Sequence, residues 1–329
     1  MSAENKWIWN RTKVLAEELN FSACGCTKAT EVSETTIDRY NERLSKGYFA
    51  EMSYLKRNCE KRFNPTLLEG GTQSLLLFLA PFGENKYIVK SPSKEQEENK
   101  STEIEKKREA KISQYAMGQD YHKVIKDKLF YILKALREED PSIKGRPFVD
   151  SAPLLERYWA ARAGLGFIGK NNFLISPECG IRNFIGVLCL NKELPYSTPI
   201  FFTSPNKQNY EKEYCITNES ALKRNSKIDC GECDRCLKAC PTGALEGPYM
   251  LNANKCTSYL TIEATYRENA QKQAQKGTIK RFDLLSMPNE AQAVNGWLFG
   301  CDECMNACPW NSKNRPSWSE FLKDAKENK

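Results

Sequence analysis

The sequence holds a single histidine, His122, in 329 residues. That scarcity excludes a multi-histidine metal site and allows at most one Ser-His-Asp triad. Long apolar runs are also missing. The longest, Ser74 to Phe82 (SLLLFLAPF), falls well short of the ~18–20 residues that a membrane-spanning helix requires. The first twenty residues, MSAENKWIWNRTKVLAEELN, mix acidic, basic and aromatic side chains. They contain no apolar leader core, no cleavage site and no twin arginine, so a cytoplasmic protein with no membrane partner is expected. The length suggests two domains at ~100–200 residues each and excludes miniproteins that depend on staples. Strong charge of one sign is absent as well. Lysine plus arginine minus aspartate plus glutamate is 49 − 42 = +7, which is compatible with a polyanionic partner without requiring one.

Cysteine, by contrast, is abundant. Eight of the 14 lie between Cys230 and Cys308 in two groups, and a chain of the expected compartment uses such groups for metal or redox work rather than disulfides. The first group, Cys230-GE-Cys233-DR-Cys236-LKA-Cys240-Pro241, has the bacterial ferredoxin spacing C-x2-C-x2-C-x3-C-P that ligates [4Fe-4S] clusters. The second, Cys301-DE-Cys304-MNA-Cys308-Pro309, is part of such a motif, with Cys256 as its detached upstream member. In two-cluster ferredoxins the fourth cysteine of a motif ligates the other cluster. The expected sets are therefore Cys230, Cys233, Cys236 and Cys308 for one cluster, and Cys240, Cys256, Cys301 and Cys304 for the other. Paired zinc sites also use C-x2-C, but they need neither the third closely spaced cysteine nor the following proline. Eight cysteinates and two oxidised cores of about +4 in total would lower the nominal charge from +7 to about +3, so any basic patch must be local. Cys24, Cys26, Cys59, Cys179, Cys189 and Cys215 lack ligand spacing and read as ordinary thiols.

The rest of the chain reads as helices interleaved with strands, an α/β or α+β layer, followed from about Ile216 by a smaller cysteine-rich unit. Helices are expected over residues 3 to 19, Ser33 to Leu44, Tyr48 to Leu55, Asp120 to about Leu136 and Pro153 to Ala163. Strands are expected at Phe21 to Cys26, Ser74 to Ala80, one ending at Phe148-Val149, Asn172 to Ile175 and Asn183 to Leu190. Between Lys90 and Lys111, seven basic and six acidic side chains in 22 residues predict a solvated loop or mobile helix. Gly164-Leu-Gly166-Phe-Ile-Gly169 matches the dinucleotide fingerprint G-x-G-x-x-G, but a helix precedes it and a strand follows, the reverse of what a Rossmann site needs. These glycines instead end a helix in a left-handed turn and let backbone approach a bulky ligand, with Lys170 available to an anionic or amide group. A plain helix cap is the simpler alternative.

Several stretches together are similar to the epoxyqueuosine reductases, cobalamin-dependent iron-sulfur enzymes of tRNA modification. They are Tyr115-AMGQDY-His122, Phe148-V-Asp150-SAPLL-Glu156-Arg157, Ala163-GLGFIG-Lys170-Asn171, Cys256-TSYLTI-Glu263 and Gly300-CDECMNACPW-Asn311. The resemblance implies a nitroreductase-like corrinoid-binding domain, residues 1–215, and a two-cluster ferredoxin-like domain, residues 216–329, that feeds electrons to cobalt. It implies removal of the epoxide oxygen of epoxyqueuosine in a tRNA anticodon, a low-potential electron donor, and a monomer. It assigns Asp150 as proton donor, a role that burial at the end of an apolar strand would serve by raising its pKa. By pattern alone, Asp150 or Ser151 is an N-cap for the helix at Pro153. Corrinoid contacts are expected at Arg62, Asp150, the backbone near Leu174 and Ile185, Ser258 and Asp302, with His122 and Lys170 as further cofactor contacts. Trp310 and Tyr259 are either base-stacking or packing residues. The chain differs from longer members in its charged Lys90–Lys111 stretch and in having no room for their C-terminal helical repeats. A dehalogenase-like corrinoid reductase and an electron-transfer ferredoxin subunit are the alternatives. The first typically carries a twin-arginine leader, and the second requires the matches outside residues 230 to 308 to be coincidental.

Overall fold

The computed structural model describes residues 5–83, 88–89, 110–196, 200–202, 210–211, 229–264 and 294–322. Cys215, the 215/216 division and residues 90–109 of the charged stretch lie outside them.

The Ser74–Pro81 run decides the architecture. All eight of its residues are buried, so both faces of that strand need apolar cover, which a hairpin sheet with one wet face does not provide. Strands β1 (Ala23–Lys28), β2 (Ser74–Pro81), β3 (Gly145–Phe148), β4 (Asn183–Leu190), β5 (Ile200–Phe201) and β6 (Tyr210–Glu211) form one sheet in the order β6-β5-β1-β2-β4-β3. Every pairing in it is antiparallel, so of the two layer types allowed by the sequence this is α+β.

Because strand side chains alternate, β2 feeds two cores. Leu76, Phe78 and Ala80 meet α1 (Lys6–Glu18) and α3 (Tyr121–Glu139) through Ile8, Leu15, Ile125, Leu129, Ile132 and Leu133. Leu75, Leu77 and Leu79 meet Tyr40 of α2 (Glu34–Ser45) and Trp159 and Ala160 of α4 (Glu156–Arg162). Helix α3 begins where the sequence expects, with Asp120 Oδ1 accepting the His122 N–H at 2.9 Å, and β4 has the expected bounds.

Four elements differ from expectation. β1 starts at Ala23 rather than Phe21. The Tyr48–Leu55 helix is replaced by turns and a four-residue helix, Ser53–Lys56, because Gly47 and Ala50 take positive φ (68° and 49°) and Tyr48 O accepts the Ala253 N–H of the cysteine-rich unit. Helix α4 begins at Glu156, not Pro153, since Asp150 is left-handed (φ 56°) and the next residues form tight turns. Asn172, at φ 64°, delays the fourth expected strand to Leu174–Ile175, which pairs with Phe167–Ile168.

The chain's later part returns to the first layer. Trp318 and Phe321 are buried in the α1–α3 core, and Trp318 Nε1 donates to Asn20 O at 2.6 Å. Trp297–Phe299 runs parallel to Ala110–Ile112. No helix among the described residues is long and apolar enough to cross a membrane. Phe78, fully buried with its ring centroid 5.0 Å from that of Phe21, is the most informative core position. Phe78→Ala is expected to cost about 3–5 kcal/mol, measured as a drop in the denaturant midpoint at unchanged slope.

Candidate active site and cluster-binding centre

Each short cysteine motif closes on itself before it meets the other. The Cys233 N–H donates to Cys230 O at 2.9 Å, and one-turn helices at Arg235–Lys238 and Glu303–Asn306 carry Cys236 and Cys304. Cys230, Cys233, Cys236 and Cys308 line one small pocket, with Asn171, Ile175, Pro309 and Trp310 completing its wall. This is the first set expected from the spacing. Burial pushes the Cys308 thiol up to about 11, and Cys230, Cys236 and Cys233 push it the same way. The second set is likewise coupled. Burial raises Cys304, and Cys301, Cys256 and Cys240 raise it further. Cys301 goes up to about 11 by burial, with Cys256 adding to it.

Cys240 goes the other way. Burial acts upward on its thiol, but the backbone N–H groups of Leu245, Thr242 and Ala244 hold it below the usual value. Thiols raised this far stay protonated at neutral pH, so their ligation requires the positive charge of bound iron. Among the described residues no three His, Cys, Asp or Glu side chains converge tightly enough to hold a single metal ion. Four sulfurs lining one pocket match the ligand number of a cubane.

The first layer holds these loops through polar contacts. Buried Arg182 donates to Gln114 Oε1 (2.6 Å), Asn306 Oδ1 (2.5 Å) and Asn311 Oδ1 (3.3 Å). Lys170 directs its backbone N–H to Cys230 Sγ at 3.5 Å and its Nζ to Gly231 O at 2.6 Å. It therefore serves the first cysteine loop and not an open wall. The preceding glycines behave only in part as expected. Gly164 is left-handed (φ 79°) and ends α4, but a Cβ on Gly166 would lie 2.2 Å from Ile175 O, so the close approach there is to the protein's own strand. Asp302 is 3% exposed and accepts from Ser113 Oγ and, at 2.8 Å, from the Gln114 N–H.

Asp150 occupies a second centre. Tyr121 Oη donates to its Oδ2 at 2.5 Å, and His122 Nε2 lies 3.6 Å from the same oxygen. His122 Nδ1 lies 2.8 Å from Asp120 Oδ1, so the imidazole is held between two carboxylates. Tyr121 stacks on His122 and on Phe184. The Asp150 side chain is 66% exposed. The hydrogen bond from His122 holds its carboxyl below the ordinary value against the effect of burial, with Tyr121 assisting. The sequence-based expectation of a raised Asp150 pKa is thus overturned. His122 instead is raised, by its hydrogen bond to Asp150 against desolvation and by Asp120.

Groups of the cysteine-rich unit face this centre. Burial raises Tyr54, its hydrogen bond to Glu263 (2.9 Å) raises it further, and Asp150 and Arg62 act on it through space. Burial likewise raises Tyr115, which is within reach of Asp150, Asp302 and Glu263. Arg62 is buried, donates to Tyr54 O at 3.2 Å, and leaves Nε without a partner. Leu174 is buried in the α4 core, Ile185 packs at its edge and Ser258 is half-buried beside Cys256. Trp310 forms a wall of the cysteine cavity and packs edge-on against Phe167, and Tyr259 Oη accepts weakly from the Glu51 N–H.

Sequence reasoning did not single out Tyr54, Tyr121, Glu156, Arg182 or Glu263. The adjacency of Tyr121 to the lone histidine was the only local signal for any of them, because a buried polar role leaves no spacing rule.

Residues 229–311 match the model of a 4Fe-4S double cluster binding domain, and residues 62–151 match that described as epoxyqueuosine reductase QueG, DUF1730. The epoxyqueuosine reductase of Cyclobacterium marinum is 34% identical over 315 residues, covering 95% of this chain and 82% of that one. The chain belongs to the epoxyqueuosine reductase family. Two solved structures agree with that family. One, of an epoxyqueuosine reductase with an epoxyqueuosine-modified tyrosine tRNA stem loop, superposes with TM-score 0.65 at 26% identity, covering 96% of this chain and 70% of that one. The other, from Bacillus subtilis with its catalytic aspartate loop swung out of the active site, gives TM-score 0.66 at 25% identity with the same coverage.

Cys236→Ala and Cys304→Ala remove one sulfur from each set. Each is expected to halve the iron and sulfide bound per chain, measured on anaerobically purified protein.

Proposed function

We propose that this chain removes the epoxide oxygen of epoxyqueuosine in a tRNA anticodon, giving queuosine, with cobalamin reduced through the two [4Fe-4S] clusters. Family membership makes it an oxidoreductase. The observation that carries the reading further is the Asp150–Tyr121–His122 constellation, set opposite Glu263 and Asp302 of the cluster-binding unit. An electron-transfer subunit would need no such centre, and the relative aligned over 95% of the chain disposes of chance matches outside the cysteines.

The overall change consumes two electrons and two protons. Both C–O bonds of the ring break, a C=C bond forms, and the oxygen leaves as water. Bound cobalamin would supply the strongly reducing, nucleophilic cobalt. This chain's residues would supply position and protons. Asp150 Oδ2 accepts from Tyr121 and faces an imidazole whose pKa is raised, so the proton delivered to the departing oxygen starts on His122, which Asp120 keeps oriented, and passes through the Asp150 carboxylate. Around the corrinoid we place Arg62, whose orphaned Nε marks an unfilled polar contact, together with Ser258, Asp302 and the backbone near Leu174 and Ile185. Lys170 and Asn171 are placed against the first cluster.

We infer a nitroreductase-like first domain over 1–215 and a ferredoxin-like second over 216–329, a monomer in the cytoplasm, and a low-potential electron donor. For the tRNA, Arg43 lies within electrostatic reach of Arg39 and Arg157, with Glu42 also near, and Arg157 acts in turn on Asp150. We assign these arginines to the phosphate backbone. Arg39→Ala is expected to weaken tRNA binding uniformly across sequences and to lower the salt slope by about 1.

The deciding experiment is mass spectrometry of nucleosides from epoxyqueuosine-containing tRNA after anaerobic incubation with protein, cobalamin and reductant. Conversion that disappears without cobalamin is expected, and Asp150→Asn and Asp150→Ala should each lower turnover by roughly 10²–10⁴-fold. No conversion by protein carrying both clusters and cobalamin overturns the assignment, and full activity of Asp150→Asn removes the proton-donor role.

A further inference from the structure

The carboxyl of Glu156 is an unusual presence in this fold. It lies in the first turn of α4, six residues beyond Asp150, and its Oε1 is sealed from solvent without a hydrogen-bond partner. Two backbone N–H groups face the carboxyl, that of Glu156 itself and that of Asp150. Asp150 is the residue whose backbone is left-handed (φ 56°), a conformation that a non-glycine residue keeps only where its surroundings enforce it. The turn around it is tight, with the Ser151 N–H donating to Val149 O at 2.6 Å and the Leu154 N–H to Ala152 O at 2.8 Å. From the open side Asp150 is held by Tyr121 and His122. From the buried side the group that faces it is Glu156.

We propose that Glu156 is a positioning residue, a buried carboxylic acid that braces the Asp150 turn from within and leaves a single negative charge between the two carboxyls. This rests on the reading of Asp150 given above.

A carboxyl sealed from water beside a second, ionised carboxylate keeps its proton. Burial raises Glu156 to about 8, the charge of Asp150 adds to the shift, and Arg157 opposes it. Tyr121, packed against the same space from α3, is itself raised by burial first and by Glu156 among its neighbours. Asp150 is lowered, so the shared proton belongs to Glu156. A neutral carboxyl suits a brace. An ionised Glu156 would repel Asp150 and press on the turn that carries it.

The test compares the cluster-loaded wild type with Glu156→Gln, which keeps the shape and neutrality, and Glu156→Leu, which keeps only the volume. Because the native carboxyl binds its proton more tightly than the unfolded one, the wild type loses stability as pH rises from about 4.5, the ordinary value, to about 8, and levels off above that. The thermal midpoint of Glu156→Gln should therefore gain steadily on the wild type across that window. Amide hydrogen exchange over residues 149–155 should quicken at least tenfold in Glu156→Leu and stay near the wild-type rate in Glu156→Gln. Turnover at neutral pH should fall at least tenfold in Glu156→Leu, with Glu156→Gln restoring most of it.

A constant difference in midpoint between Glu156→Gln and the wild type across the window overturns the neutral carboxyl. Equal exchange in all three proteins overturns the brace. Neither readout depends on epoxyqueuosine, so both decide the role of Glu156 even where the turnover assay refutes the proposed function.

Discussion

Each cysteine loop gives its last sulfur to the other loop's set, and that exchange is the constraint on which the rest of the molecule depends. Cys308 belongs with Cys230, Cys233 and Cys236 around one cavity, while Cys240 is coupled to Cys304 and Cys256. Neither quartet closes unless both loops and the detached Cys256 dock together. Docking of short loops has little apolar surface to drive it, so the polar contacts carry the register. Arg182 reaches three side chains of two segments, one of them the 306–311 turn, and Asp302 ties that same unit to Ser113 and Gln114. A buried guanidinium and a buried carboxylate are tolerable only when so satisfied.

The sheet is the fixed reference for this assembly. Its two-sided core places α3 over one face and α4 over the other, and the catalytic candidates stand at the N-terminal end of each helix: Tyr121 and His122 on α3, Asp150 and Glu156 before and within the first turn of α4. Two helices from opposite faces thus deliver side chains to one point. The cluster-binding unit reaches towards it where its Glu263 accepts from Tyr54 Oη, and Tyr54 and Asp150 lie within electrostatic reach of each other.

What was legible in the sequence follows from this. The grouping of Cys308 with Cys230, Cys233 and Cys236 was readable because cubane geometry imposes spacing, and β2 and α3 because burial imposes periodicity. Asp150 was readable as a site residue only by resemblance, and its ionisation was misjudged because burial, seen in the apolar strand before it, was weighed without the hydrogen bonds that oppose it. Those bonds come from Tyr121 and His122, about thirty residues earlier in the chain. The bounds of α4 were misjudged for a related reason. Ser151-Ala-Pro153 is good helix-start chemistry, but the left-handed Asp150 and the turns after it delay the helix to Glu156. Gly166 likewise answers to a strand packed against it and not to a ligand.

The charges around the centre order themselves once these contacts are in place. His122 is raised by Asp150 and Asp120, Asp150 is lowered by His122 and Tyr121, and Glu156 is raised by burial and by Asp150. Asp150 is therefore the negative neighbour of both others, beside the burial that is the first cause for Glu156 and the Asp120 contact that also raises His122. The left-handed residue is thus not an incidental strain but the place where the protein's geometry sets its acid-base chemistry.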